Sequence, residues 1–120
     1  MTDGIVRHHT NARMSKIVHA QGLVFLCGQT SSGTDIADVA GQTREVLSRI
    51  DKLLAEAGSS RTQILAATIY LREIGDFDAM NAEWESWVPE GAAPARTTVE
   101  AGLASASLLV EITVTALRAA

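Results

Sequence analysis

One cysteine, Cys27, stands in a chain of 120 residues, so no internal disulfide can staple it. Basic residues form no run: ten Lys and Arg face fourteen Asp and Glu, and the formal net charge is −4. A phosphate backbone finds no basic stripe here, which counts against nucleic acid as the main partner. No apolar run reaches the roughly 20 residues that cross a bilayer. The opening MTDGIVRHHT lacks the long apolar core of a secretory signal. Together these absences lead us to expect a soluble, cytoplasmic protein with no membrane partner. Other signatures are missing too. GQTSSGT (28–34) nearly spells a phosphate loop, but threonine stands where that loop needs its lysine. No G-x-S-x-G elbow occurs, which argues against a serine hydrolase. His8, His9, His19 and Cys27 have no standard ligand spacing, and adjacent strand residues face opposite ways, so no metal site is expected.

What is present reads as one domain over residues 1–120. IVRHHT (5–10), KIVHA (16–20) and LVFLC (23–27) read as strands, the last two joined at Gln21-Gly22 as a hairpin. GQTSSGTD (28–35) is a loop. From Ile36 to Ala57 the apolar period becomes helical. Val39, Thr43, Val46, Leu47, Ile50, Leu53, Leu54 and Ala57 share a face, with Asp35 as N-cap and Gly58 as the C-terminal glycine. ILAATIYL (64–71) is a strand. Asp76 caps a second helix whose inner face is Phe77, Met80, Trp84 and Trp87 or Val88, and PEGAAP (89–94) stops it. PARTTVE (94–100) is a strand, residues 102–107 are a loop, and LVEITVTAL (109–117) alternates as a final strand.

The order β-β-β-α-β-α-β-β predicts an α+β protein: one mixed six-stranded sheet with two helices on one face, the β-α-β passages being right-handed crossovers. LVFLC and ILAATIYL are apolar on both faces, yet two helices cover only one. The bare face predicts a closed homo-oligomer. Alternation then places Arg96, Thr98 and Glu100 on one face of their strand, and Glu111, Thr113 and Thr115 opposite the core face of theirs. If both polar sets lie away from the helices, Arg96 and Glu111 look into the oligomer interface, where a guanidinium fork suits a small anion. The alternative is an ordinary edge charge, solvated or paired with Glu100 or Glu111.

P-A-R-T-T-V-E-A-G-L, followed by V-E-I at 110–112, resembles the C-terminal signature of the RidA (YjgF-type) family of reactive-intermediate deaminases. LVFLCGQT is similar to the family's Ser-Gly-Gln segment, and DFDAMNAEWESW to its second helix, with Asn81 at the family's asparagine. The resemblance spans nearly the whole chain. It implies the chorismate-mutase-like RidA fold, a homotrimer packed through the bare sheet face with three clefts between subunits, and no cofactor. Arg96 would clamp the carboxylate of a 2-imino or 2-enamino acid, helped by the backbone N–H of Thr98, and Glu111 would position the attacking water. Gly28 and Asn81 would line the cleft. The substrates would be of the 2-aminoacrylate class, and the products a 2-keto acid and ammonia. This chain departs from the archetype at Thr98, where cysteine is common, and at Cys27, where serine precedes Gly-Gln. Met14 replaces a tyrosine that lines the cleft. Cys27 reads as a small packing residue. Met14 keeps open a second reading, a non-catalytic module that binds a keto acid in the same cleft. The ribonuclease activity attached to some relatives has a poor electrostatic start at charge −4.

Overall fold

The computed structural model describes residues 4–119. Its elements run β1 (Val6–His8), β2 (Ile17–Ala20), β3 (Leu23–Leu26), α1 (Val39–Glu56), β4 (Ile64–Leu71), α2 (Phe77–Trp87), β5 (Ala95–Glu100) and β6 (Val110–Leu117). This is the order read from the sequence. The six strands form one sheet, β1-β2-β3-β6-β4-β5. The β2–β3 hairpin turns through Gln21 and Gly22, at φ 53° and 77°, the double positive φ of a tight two-residue turn. β3 and β4 both run antiparallel to β6, which lies between them, so they are parallel to each other; β4 and β5 pair directly in parallel. α1 packs on β3, β6 and α2, which puts the two helices together over one face.

α1 buries Val39, Thr43, Val46, Leu47, Ile50, Leu53 and Leu54, the stripe that the 3.6-residue period predicts. It ends in Gly58 at φ 77°, with Ser59 N–H donating to Leu54 C=O at 2.8 Å and Gly58 N–H to Ala55 C=O at 3.1 Å, the paired bonds of a Schellman cap. Its start differs from expectation. The helix begins at Val39, and the N-cap is Asp38, not Asp35: the Asp38 carboxylate accepts the Gly41 N–H at 2.9 Å. The cause is local. The Thr34 hydroxyl and N–H both donate to Ser31 C=O, Thr34 Oγ1 accepts the Ile36 N–H at 3.4 Å, and Ile36 C=O accepts from the Gln42 side chain at 2.9 Å, so residues 31–36 are engaged outside the helix. Replacing Asp38 by alanine should cost about 1 kcal/mol of stability, read from a urea unfolding curve.

Two further readings need correction. Asp76 occupies the N-cap position of α2, but its side chain bonds no helix N–H. The Glu100 carboxylate instead accepts the Ile74 N–H, at 2.9 Å, in the short 3-10 turn that leads in. Phe77 does not join the core; it is 38% exposed, whereas Met80, Trp84 and Trp87 are buried.

The core face of the sheet carries Ile17, Val24, Leu26, Ala67, Ile69, Leu71, Val110, Ile112 and Val114. The other face is bare in the protomer. It presents Phe25, Val99 and Leu117, each about two-fifths exposed, and the β4 bulge presents Leu65 likewise. Thr97, Thr68 and Thr113 lie side by side across it. No helix of the described residues is long and apolar enough to cross a membrane.

Candidate functional site

β5 is the edge strand, and its register decides where Arg96 points. Arg96 pairs with Ala67, and Ala67 pairs with Val114. Both neighbours are core residues, so Arg96 lies on the helix-bearing face. This corrects the expectation that it shares the bare face with Glu111. The physical reason is that alternation says which residues share a face, not which face it is. The opposite set on β5, Ala95, Thr97 and Val99, is too small to be drawn under α2, whereas α2 offers two rings. The Arg96 guanidinium carbon lies 5.7 Å from the Phe77 ring centre and 5.6 Å from that of Trp84, a cation–π bed. Among the described residues the guanidinium makes no ion pair or hydrogen bond, and Glu100, a candidate partner, is engaged with Ile74. Burial lowers the Arg96 pKa from its ordinary value, with Glu85 pulling the other way.

Thr98 sits on the same face, one pleat along, and its Oγ1 is buried with no partner among the described residues. Asn81 is half-buried. It lies between Phe77 and Trp84 on one helical stripe (i, i+4, i+7), so it belongs to the same cluster.

Glu111 pairs with Tyr70, across from the core, and points to the bare face. It lines a pocket of about 290 Å³ with Tyr70, Ala101, Gly102, Leu103 and Thr113. Its carboxylate lies against Gly28: a Cβ at that position would collide with Oε2 and stand 2.9 Å from Cδ. Gly28 is therefore needed for its lack of a side chain, and this explains Gly28 and Glu111 as a pair. Gln29 fixes the backbone there by exchanging N–H···O=C bonds with Ile112 at 2.9 and 3.1 Å. The candidate residues thus fall into two groups, Arg96–Thr98–Asn81 and Glu111–Gly28, on opposite faces of one sheet. Met14 joins neither by a hydrogen bond. It is 52% exposed on the β1–β2 connection, where Asn11 Oδ1 accepts the N–H groups of Arg13 and Met14 at 2.8 and 3.0 Å.

The flanking loops are tied down by side chains that sequence reading did not single out. Arg49 of α1 donates to Thr30 C=O at 2.8 Å, to Ser32 C=O at 2.9 Å and to Glu45 at 2.7 Å. Gln42, 1% exposed, donates to Ile36 and Ser107 C=O and accepts the Leu109 N–H, each within 2.9 Å. Its signal was a polar residue within the apolar stripe, between Val39 and Val46. Gln42→Leu removes the hydrogen-bond partner of three part-buried backbone groups. It should cost about 3 kcal/mol, measured by denaturant unfolding.

Burial raises the Cys27 thiol pKa, against the opposing pull of Lys16 and of a hydrogen bond from Gln29 at 3.3 Å. That suits a protonated packing group. His8 stacks on His19 with ring centres 5.6 Å apart, and His9 pairs with Glu56 at 2.6 Å. No three of His, Cys, Asp and Glu gather among the described residues.

Comparison with known proteins agrees with this architecture. The family model described as "Endoribonuclease L-PSP" matches residues 5–118. The chain is 41% identical to the RutC family protein YoaB of Escherichia coli, over 93% of this chain and 96% of that one. It is 33% identical to a protein of Acinetobacter baylyi named 3-aminoacrylate deaminase RutC, over 83% and 78% of the two chains. Among solved structures it is similar to NMB1025 of Neisseria meningitidis, a member of the YjgF protein family, with a TM-score of 0.91, 44% identity, and 97% and 96% coverage. The match across β1 to β6, together with the arginine and glutamate strands placed as described, assigns the chain to the Endoribonuclease L-PSP (RidA/YjgF) family.

Proposed function

We propose that the protein hydrolyses reactive 2-imino or 2-enamino acids of the 2-aminoacrylate class to 2-keto acids and ammonia, in clefts between the subunits of a homotrimer. The observation that carries this reading is the fork of Arg96, held on two aromatic rings at a sheet edge with no ion pair or hydrogen bond among the described residues. A substrate carboxylate supplies the missing partner. The relative named 3-aminoacrylate deaminase supports the chemistry.

The division of the site has a consequence for assembly. One protomer's Arg96, with Asn81, meets another's Glu111 and Gly28 when bare faces and edges associate. An imine carbon is already electrophilic, so catalysis reduces to gripping the acid end and placing a water. Water adds to the C=N carbon while Glu111 takes its proton and passes it to the nitrogen, giving a carbinolamine; the carbinol O–H proton then follows through the same carboxyl to the nitrogen as the C–N bond breaks, and ammonia leaves the keto acid. Tyr70, Leu103 and Thr113 shape the space beside Glu111.

The test is release of ammonia from a freshly generated 2-imino acid, with Arg96→Ala as the control. Loss of the clamp lowers kcat/KM roughly tenfold to a hundredfold, the range for hydrogen bonds to a charged group. Wild type no faster than Arg96→Ala would sink the reading. Saturable keto acid binding without turnover would leave the binding-module alternative. Mixing the impaired variants Arg96→Ala and Glu111→Gln through a denature–refold cycle should raise activity above that of either variant alone; no rise would place both residues of a site in one protomer. Phe25→Glu, on the bare face, should shift the particle from three times 12.7 kDa to a single protomer in light scattering.

A further inference from the structure

The chain contains two lysines, Lys16 and Lys52. Both line one pocket of about 260 Å³, together with Gln29, Arg49 and Leu53. Lys16 stands at the start of β2, where its C=O accepts the Cys27 N–H at 3.0 Å. Lys52 and Arg49 come from α1, three residues apart and so on one side of it. Among the described residues neither lysine makes a salt bridge. Arg49 is committed: its Nε serves Glu45, and its two terminal nitrogens serve Thr30 and Ser32. The surplus positive charge of the pocket therefore sits on two ammonium groups, in a protein whose net charge is −4.

We propose that this pocket binds a small, doubly charged oxyanion of the phosphate class. The donor chemistry selects it. A planar carboxylate is matched by a free guanidinium fork, and the fork here is occupied. Two ammonium groups are point charges with rotatable donors, and they suit a tetrahedral anion approached from two sides. The pocket is separate from Arg96, which lies on the edge strand β5. It is nonetheless one residue from the Glu111 support. The Gln29 amide donates to Cys27 C=O at 3.1 Å and to Gly28 C=O at 3.5 Å, and Gly28 is the residue on which the Glu111 carboxylate rests. An anion beside Gln29 is thus placed to alter the Gly28–Glu111 contact. The binding itself does not depend on the deaminase reading.

Inorganic phosphate, titrated against sodium chloride at matched ionic strength and followed by amide chemical shifts of the intact protein, tests the site. Saturable shifts centred on Gln29 and Gly28 are expected, with a dissociation constant of about a millimolar. Lys16→Met combined with Lys52→Met should weaken binding at least about tenfold, with the circular dichroism spectrum unchanged because both lysines are exposed. Arg96→Ala should bind phosphate like the wild type. Shifts that follow ionic strength alone, or that persist in the double lysine variant, overturn the proposal. So does loss of phosphate binding in Arg96→Ala, which would locate the anion at the arginine.

Discussion

Glu111→Gln is expected to lower kcat for imine hydrolysis roughly a hundred- to ten-thousandfold, the usual worth of a positioned proton acceptor, while leaving KM nearly unchanged. The amide keeps the size and the seat against Gly28 but cannot take a proton from water. KM is expected to hold because the proposed mechanism has Arg96, not Glu111, grip the acid end of the substrate. Stopped-flow release of keto acid separates the two parameters. A Glu111→Gln enzyme that retains its kcat would show that water needs no help at this carboxylate. A rise in KM with kcat intact would move Glu111 from chemistry to binding.

Gly28→Ala should produce a well-folded protein with about a hundredfold lower activity. The added methyl group collides with the Glu111 carboxylate, the far end of a flexible side chain on a half-exposed face. The chain yields there cheaply, so unfolding stability changes by less than about 1 kcal/mol. Activity falls because a displacement of about 1 Å in a catalytic group costs on the order of a hundredfold. Combining Gly28→Ala with Glu111→Gln should add little, since both act through one carboxylate. Full activity in Gly28→Ala, or additive losses in the double variant, would break the link between the two residues.

Period and punctuation were enough to give the strands, both helices and the glycine at the end of α1. The stripe from Val39 to Ala57 has one solution as a helix, and Gly58 one natural use. The N-cap was different: Asp35 was expected and Asp38 is found. Both aspartates precede the helix, and the choice depended on a Thr34 turn whose hydrogen bonds leave no periodic trace. Arg96 shows the same limit at the site. Its kinship with Thr98 and Glu100 followed from the pleat, but its face did not, because β5 carries no large apolar residue to fix the sense. What fixed it was α2, whose Phe77 and Trp84 rings attract the guanidinium; the tertiary contact outweighed a local pattern that was nearly neutral. Gln42 was legible in principle, as a polar residue in a buried stripe. Its three partners, spread over sixty residues and more, were not.

The threonine row across the uncovered side of the sheet bears on the life of the newly made chain. Thr97, Thr68 and Thr113 separate the exposed apolar groups into smaller islands. Hydroxyls on β-branched carbons hydrogen-bond water in the separate chain, and in the proposed trimer their methyl groups would pack against the neighbouring subunit. Dilution of the proposed trimer should therefore release dispersed single copies instead of a precipitate, so that its assembly is reversible in a test tube.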